Sequence, residues 1–295
     1  MPVRLSTPRP RDLSRLHTTI SAWQADDMPL QLHPGDLGWY ALRGEDAAAS
    51  AIRVWSDGDD VAAIALIDGP QLVRFALDPQ RFGDVDLAER IAADLDDPAT
   101  GVLLAGEATV EARGAAALGT RLHSRGWHQD DPWTPLHLDL QNPVDVDGLR
   151  VVIVAPEDTE NWVRVHWSAF RGTPIPTERL TGFVDGWVTA AHGPLFGGAR
   201  ILRLDDDHGE TVAVAAVWPA GDGRPGLIEP MGVHADHRGR GHGTHVTRAA
   251  AATLRAAGSL SAIVCAESSN VAAVAAYVAA GFVAKPEVAD WVRGD

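Results

Sequence analysis

The sequence predicts an α/β fold, an α+β mixed sheet flanked by helices, and predicts it twice in succession. Two observations carry this. An apolar run at 226–233 reads as a strand and leads through a glycine-rich stretch into an alanine-rich segment, 244–257. That segment has no interior Gly or Pro, and Gly258 sits where a helix C-cap belongs. The second observation is that the element order before residue 143 is close to the order after residue 148. A length of 295 residues suits two domains, and 45% hydrophobic with 22% charged residues describes a globular chain.

In the first half, residues 2–5 form a strand. A helix over 11–24 follows, with Leu13, Leu16, Ile20 and Trp23 on one face. A turn-rich patch at 33–38 leads to strands at 51–55, 61–67 and 72–77. Asp/Gly turns separate these, as in an antiparallel meander. A helix over 84–95, a strand over 101–105, a helix over 112–125 and a strand over 135–140 complete the unit.

A seam lies near 141–147, dividing the chain into residues 1–143 and 148–295. The second unit has a strand at 149–154, helices at 158–170 and 178–191, and a meander of 201–204, 212–218 and 226–233. The glycine-rich loop and its helix come next, then a strand at 261–266 and a helix from Asn270. The two units are not chemically equivalent. Where the second has its glycine loop, the first has 77–86, with one glycine, a proline and carboxylates. Such a segment offers an anion neither an amide nest nor an open helix N-terminus. The first unit is expected to be degenerate, a scaffold that completes a shared sheet or walls a substrate cleft.

The glycine loop places Gly239, Gly241 and Gly243 with Arg238 and Arg240 at a strand-to-helix junction. The first helical N–H groups there have no intrahelical partners, and the helix dipole adds positive character, so the junction reads as a phosphate cradle. No lysine fits a Walker loop, and the polar lead-in from His234 to Arg238 does not suit a dinucleotide-binding turn.

Arg238, Gly241 and Gly243 fit Gln/Arg-x-x-Gly-x-Gly/Ala. Asn270, Ala273, Tyr277, Gly281 and Phe282 fit Asn-x-x-Ala-x-x-x-Tyr-x-x-x-Gly-Phe, one strand later. Together these resemble motifs A and B of the GNAT superfamily of N-acetyltransferases. The second run is also similar to that of mycothiol synthase, a tandem member that acetylates a cysteinyl amine. The resemblance implies two tandem GNAT-like domains, the N-terminal one degenerate, with acetyl-CoA as acyl donor and an amine of a small molecule or peptide as acceptor. It implies that Val233, His234 and Ala235 hold the pantetheine arm at an open strand edge, beside a bulge at Pro230 and Gly232. Arg238, Gly239, Arg240, Gly241, His242, Gly243 and Thr244 would wrap the pyrophosphate. Asn270 has two compatible roles, as a helix N-cap and as a group near the pantetheine.

Glu229 stands nine residues before Arg238. Two roles are open to it: a base that deprotonates the amine, or an edge-strand carboxylate that attracts a cationic substrate. His234 is a second candidate base. Tyr277 is implied to protonate the departing thiolate, which a phenol of pKa about 10 is suited to do. The alternative for Tyr277 is core packing. Trp162, Trp167 and Trp187 fall in the region that roofs the acceptor pocket in this superfamily.

Other classes are set aside on chemistry. A net charge of -15 is wrong for nucleic acid, and the longest apolar run, 271–284, is too short to span a bilayer. The histidines at 234, 237, 242 and 245 lack metal-ligand spacing. The single cysteine, Cys265, reads as a small buried hydrophobe and fits a reducing compartment, so a cytoplasmic location is expected. A non-catalytic acyl-CoA sensor would keep the loop but could dispense with Glu229 and Tyr277. A dinucleotide-dependent oxidoreductase would use Glu267 on a ribose, but the polar lead-in to the loop argues against it.

Overall fold

The computed structural model describes residues 3–294. The first half contains β1 (Arg4–Ser6), α1 (Leu13–Ala22), α2 (Pro34–Tyr40), α3 (Glu45–Ala51), β2 (Ile52–Asp57), β3 (Asp60–Ile67), β4 (Leu72–Leu77), α4 (Val85–Asp96), β5 (Ala108–Glu111), α5 (Ala116–Ser124) and β6 (His128–Asp139). The second contains β7 (Arg150–Val154), α6 (Glu160–Arg171), α7 (Thr177–Ala191), β8 (Arg200–Asp205), β9 (Thr211–Trp218), β10 (Pro225–Val233), α8 (His242–Ala256), β11 (Ser261–Glu267), α9 (Val271–Ala279), β12 (Val283–Ala284) and β13 (Val288–Arg293). The mixed α/β architecture and the repeated element order are as the sequence predicts. Residue 2 of the first expected strand lies outside the described residues.

All of these strands join one sheet, in the order β1-β2-β3-β4-β5-β13-β6-β11-β10-β9-β8-β7, with β12 alongside β6. The last strand of each half is exchanged. β6 runs antiparallel to β11, from Ser261 opposite Asp139 to Glu267 opposite Trp133, while β13 runs antiparallel to β5. Each exchanged strand covers an edge the other half would otherwise leave unpaired.

Packing follows the periodicity. In α4, Leu87, Ala88, Ile91, Ala92 and Leu95 share a buried face; in α8, Val246, Ala249, Ala250 and Leu254 do. Four apolar clusters, two per half, lie on the two faces of the sheet.

Helix α3 and strand β13 are additions to the expected elements, and two of the expected elements differ in kind. The turn-rich patch at 33–38 is helix α2, started by Pro34 and capped by the His33 side chain, which accepts from Gly35 N–H. Its glycines are there for closeness: a Cβ on Gly35 would lie 2.5 Å from Trp218 Cβ, and Gly38 meets the same ring. The expected strand at 101–105 does not form, and the strand is β5. Arginines take the carbonyls a ladder would have used: Arg53 Nη2 donates to Gly101 O at 2.7 Å, and Arg293 donates to Leu104 O at 2.8 Å. Leu104 is left 65% exposed.

Candidate functional site

The site begins where two neighbouring strands part. β10 and β11 pair in parallel only from Pro225–Ser261 to Leu227–Ile263, and β10 slips register against β9 between Ile228 and Met231. Glu229 and Pro230 occupy the slip. Gly232, expected at the bulge, instead pairs with Val214. It is small because the Ala169 methyl of α6 presses on it, 2.7 Å from where its Cβ would be. Trp218 Nε1 donates to Glu229 O at 2.6 Å and fixes the bulge from behind. Trp218 is itself the ring against which α2 packs, so the first half braces this point.

The gap opens into a cleft of about 690 Å³ that contains Glu229, Tyr277, Cys265 and Asn270. A second hollow of about 630 Å³ lies around Arg238, Gly239, Gly241, His242, Gly243 and Thr244. The two share Phe170, Met231, Asn270 and Ala273 as walls, so one path connects the glycine loop to Glu229.

Gly239 (φ +74°) and Gly241 (φ +83°) adopt the left-handed conformation that the loop requires. Gly241 is the N-cap of α8 and supplies no side-chain acceptor, so the first amides of that helix have no cap. Gly243 sits where α8 passes α9; a Cβ there would be 3.5 Å from Ala276 Cβ. Arg238 Nη2 donates to Ala169 O at 2.6 Å, and Ala235 N–H donates to Ser168 Oγ at 3.1 Å, tying the loop to α6. Arg240 Nη2 reaches only Asp236 O, at 3.3 Å. Thr244 Oγ1 donates to Ala276 O at 3.3 Å. Val233 ends β10, and His234 N–H adds one more bond toward β9, donating to Val212 O at 2.9 Å. The His234 ring lies 5.5 Å from that of His237, and it is not among the residues that line the cleft with Glu229. Asn270 Oδ1 accepts from Ala273 N–H at 3.1 Å, an N-cap for α9.

Tyr277 is 5% exposed and packs edge-on against Phe282, with centroids 5.8 Å apart. Burial first, then the neighbouring Glu229 charge, raises its phenol pKa, so it is a proton donor at neutral pH. Cys265, expected as a small buried hydrophobe, is half-buried and lines the cleft. Burial pushes its thiol up to about 12, which leaves it unreactive as a nucleophile.

Glu229 keeps 40% of its side-chain surface. Its pKa is raised, chiefly by burial at the cleft floor; Arg74 opposes the rise, while Glu111 and Asp68 add to it. Arg74 comes from β4 of the first half. Its guanidinium lies 2.7 Å from Asp36, 3.3 Å from Glu111 and 3.9 Å from Glu229. The chain of charges continues from Glu111 to Arg113 (3.3 Å) and from Arg113 to Asp290 (3.2 Å), which lies on exchanged strand β13. Burial works against the Arg74 charge, but Glu111, Asp36 and Glu229 outweigh it and keep the guanidinium ionised. Asp36 is pushed up to about 7, by burial foremost.

Sequence reasoning missed Arg74. Its signal was an arginine inside an otherwise apolar strand, Leu72–Leu77, where a buried charge must have a partner. Trp39 was missed too: it reaches from α2 into the cleft beside His166, Trp167 and Phe183. Of the three tryptophans expected at the pocket roof, only Trp167 lines it. Trp162 and Trp187 are fully buried behind it, in edge contact at 5.3 Å. His166 stacks on Trp162 at 5.1 Å, and burial holds its pKa down to about 4, so it is neutral.

The corresponding opening in the first half is closed by its own chain. β4 and β5 pair only from Leu72–Thr109 to Arg74–Glu111. Beyond that point Leu32 N–H donates to Phe75 O at 2.9 Å, and the Gln31 amide clamps Leu77, its Oε1 accepting from Leu77 N–H at 2.9 Å. Pro29 packs against Gly114. The first amides of α4 are already satisfied by Asp84, whose Oδ1 accepts from Asp86 and Leu87 N–H.

A glycine loop with an uncapped helix thus leads into a splayed pair of strands. Residues 160–282 match the acetyltransferase (GNAT) family model, so the chain carries a GNAT-family domain. The solved structures it resembles include a tandem GNAT protein from the clavulanic acid biosynthesis pathway (17% identity, TM-score 0.63, covering 99% of this chain and 98% of that one). A GNAT-family acetyltransferase from Colwellia psychrerythraea has 13% identity and TM-score 0.61, covering 99% of both chains. A GCN5-related N-acetyltransferase from Sphaerobacter thermophilus has 16% identity and TM-score 0.55, covering 99% of this chain and 95% of that one. At these identities the likeness is one of fold, extending over the whole chain. No curated protein matches. No helix among the described residues is long and apolar enough to cross a membrane.

Proposed function

We propose that this chain is an acetyl-CoA-dependent N-acetyltransferase acting on a primary amine of a small molecule or peptide. The observation that carries the reading is the single path from the uncapped helix at Gly241 to a cleft holding both a carboxylate, Glu229, and a protonated phenol, Tyr277. In this reading the amides from Arg238 to Thr244 hold the pyrophosphate. Val233 to Ala235 and Asn270 line the pantetheine arm. Glu229 takes the proton of the ammonium. The freed amine attacks the thioester carbonyl, the C–N bond forms, the C–S bond breaks, and Tyr277 donates its proton to the departing sulfur; the second proton that the nitrogen sheds on becoming an amide passes through water to the Tyr277 phenolate and restores the phenol. Residues 148–295 are the catalytic unit and 1–143 the degenerate one, with the exchanged strands joining them. The single cysteine supports a cytoplasmic location.

Calorimetric titration tests the donor. Acetyl-CoA is expected to bind with sub-millimolar affinity and NAD not at all. Gly241→Leu is expected to abolish binding, because its left-handed backbone admits a side chain only with strain at the point of closest approach to phosphate. NAD binding without acetyl-CoA binding would reject the assignment. A sensor would bind the coenzyme but turn over no amine.

The same titration fixes stoichiometry. Gln31 and Leu32 occupy the β4 edge, and Asp84 caps α4, so one coenzyme is expected per chain. Two equivalents seated, one of them against residues 80–84, would contradict the closure of the first-half opening.

A further inference from the structure

The acceptor cleft continues outward into a hollow of about 850 Å³, with Trp39, Trp167, Arg171 and Phe183 as shared walls. Three guanidiniums converge on it. Arg43 follows α2 of the first half, Arg171 ends α6, and Arg179 lies in the first turn of α7. They meet because α7 packs closely on the segment after α2: a Cβ on Gly186 would lie 2.7 Å from Leu42 O. Among the described residues, Glu178 is the only carboxylate lining the hollow.

The local charge runs against the rest of the molecule. The chain has 40 acidic residues against 25 basic ones, and arginines such as Arg90, Arg125 and Arg164 are paired with carboxylates. Arg43, Arg171 and Arg179 have no carboxylate partner among the described residues. Arg43 lies over the Tyr40 ring at 4.2 Å, and Arg171 stands 5.9 Å from the Trp167 centroid. Stacking on a ring fixes a guanidinium while leaving its N–H fork open to an anion.

We propose that the acceptor is a zwitterionic amine with an aromatic or apolar body, its ammonium toward Glu229 and its anionic end, a carboxylate or phosphate, held by Arg43, Arg171 and Arg179. The proposal rests on the reading of the Glu229 cleft as the acceptor site. Trp39, Trp167 and Phe183 wall the middle of the path and suit a flat body. The amine is thereby oriented from both ends, and amines with a neutral tail lose one anchor. The first half supplies Arg43 and Trp39, so it acts in acceptor selection.

The test uses the full chain and three probes that share one ring and one aminomethyl group: 4-(aminomethyl)benzoate, 4-(aminomethyl)phenyl phosphate and neutral 4-methylbenzylamine. Quenching of tryptophan fluorescence reads binding without turnover. At least one anionic probe is expected to bind about 10-fold tighter than the neutral one, with the advantage shrinking in high salt. The tighter of the two anionic probes identifies the anion. The exposed pair Arg43→Gln and Arg179→Gln is expected to remove that advantage and leave the neutral probe unchanged. Equal affinities in the wild type, or an advantage that survives the double variant, overturns the proposal. Acetyl-CoA affinity measured on the same proteins separates the two readings: its absence defeats acetyl transfer, whereas the probe ratios alone decide the anion site.

Discussion

Tyr277→Phe is expected to lower turnover by on the order of 10²–10⁴, the usual contribution of a placed general acid, while acetyl-CoA affinity barely changes. The separation follows from where the ring sits. Its contact with Phe282 and its place in the core belong to the ring, and phenylalanine keeps both. The lost atom is the hydroxyl of a residue that lines the cleft. Because burial raises the phenol pKa, the wild-type acid stays protonated from about pH 6 to 9. The deficit of the variant should therefore be constant across that range. A wild-type rate from Tyr277→Phe would return the residue to a packing role. A sensor predicts no effect, having no turnover to lose.

Much of this site was legible because it is local in sequence. The loop from Arg238 to Thr244 and the helix from Asn270 to Phe282 each carry their chemistry in one short run, with glycines where the backbone is left-handed. What could not be read is what comes from afar. Arg74 meets Glu229 only because β4 and β10 lie in one sheet, joined by strands that each half lends the other. The exchange of β6 and β13 could not be read from either strand: β6 opens on an exposed polar run, His128 to Asp131, and the one fully buried residue of β13 is Asp290, so neither carries an apolar alternation that names its neighbour. Gly35 and Gly38 misled for a related reason. Glycine signals a turn and also a close approach, and only the partner ring, Trp218, tells the two apart. The failed strand at 101–105 shows the converse: its apolar run is genuine, but Arg53 and Arg293, far away in sequence, claim its carbonyls.

Glu229→Gln is expected to cut the rate by about 10²–10⁴ near pH 6 and to recover part of the loss as pH rises. Without the carboxylate, the reaction depends on amine that is already deprotonated. That fraction grows about tenfold per pH unit below an amine pKa of roughly 10. Wild type differs because its rate follows ionisation of Glu229, whose pKa is raised above the ordinary carboxylate value by burial. Arg74 sets how far that rise goes. Its positive charge favours the ionised carboxylate, so Arg74→Gln removes the opposing influence and moves the acid limb of the wild-type profile to higher pH. The plateau above the limb should be retained, and Arg74→Lys, which keeps the charge, should restore most of the position. Breaking a buried ion pair costs about 3–5 kcal/mol of stability, and Arg74 also serves Asp36 and Glu111. The lysine variant is therefore the control that separates loss of the charge from loss of the fold, and thermal melts of both variants accompany the profiles. pH–rate profiles for wild type, Glu229→Gln and both Arg74 variants on one accepted amine are the measurement. A Glu229→Gln profile parallel to wild type at every pH would show that the carboxylate attracts substrate and transfers no proton. An acid limb that ignores Arg74→Gln would sever the first half from the chemistry.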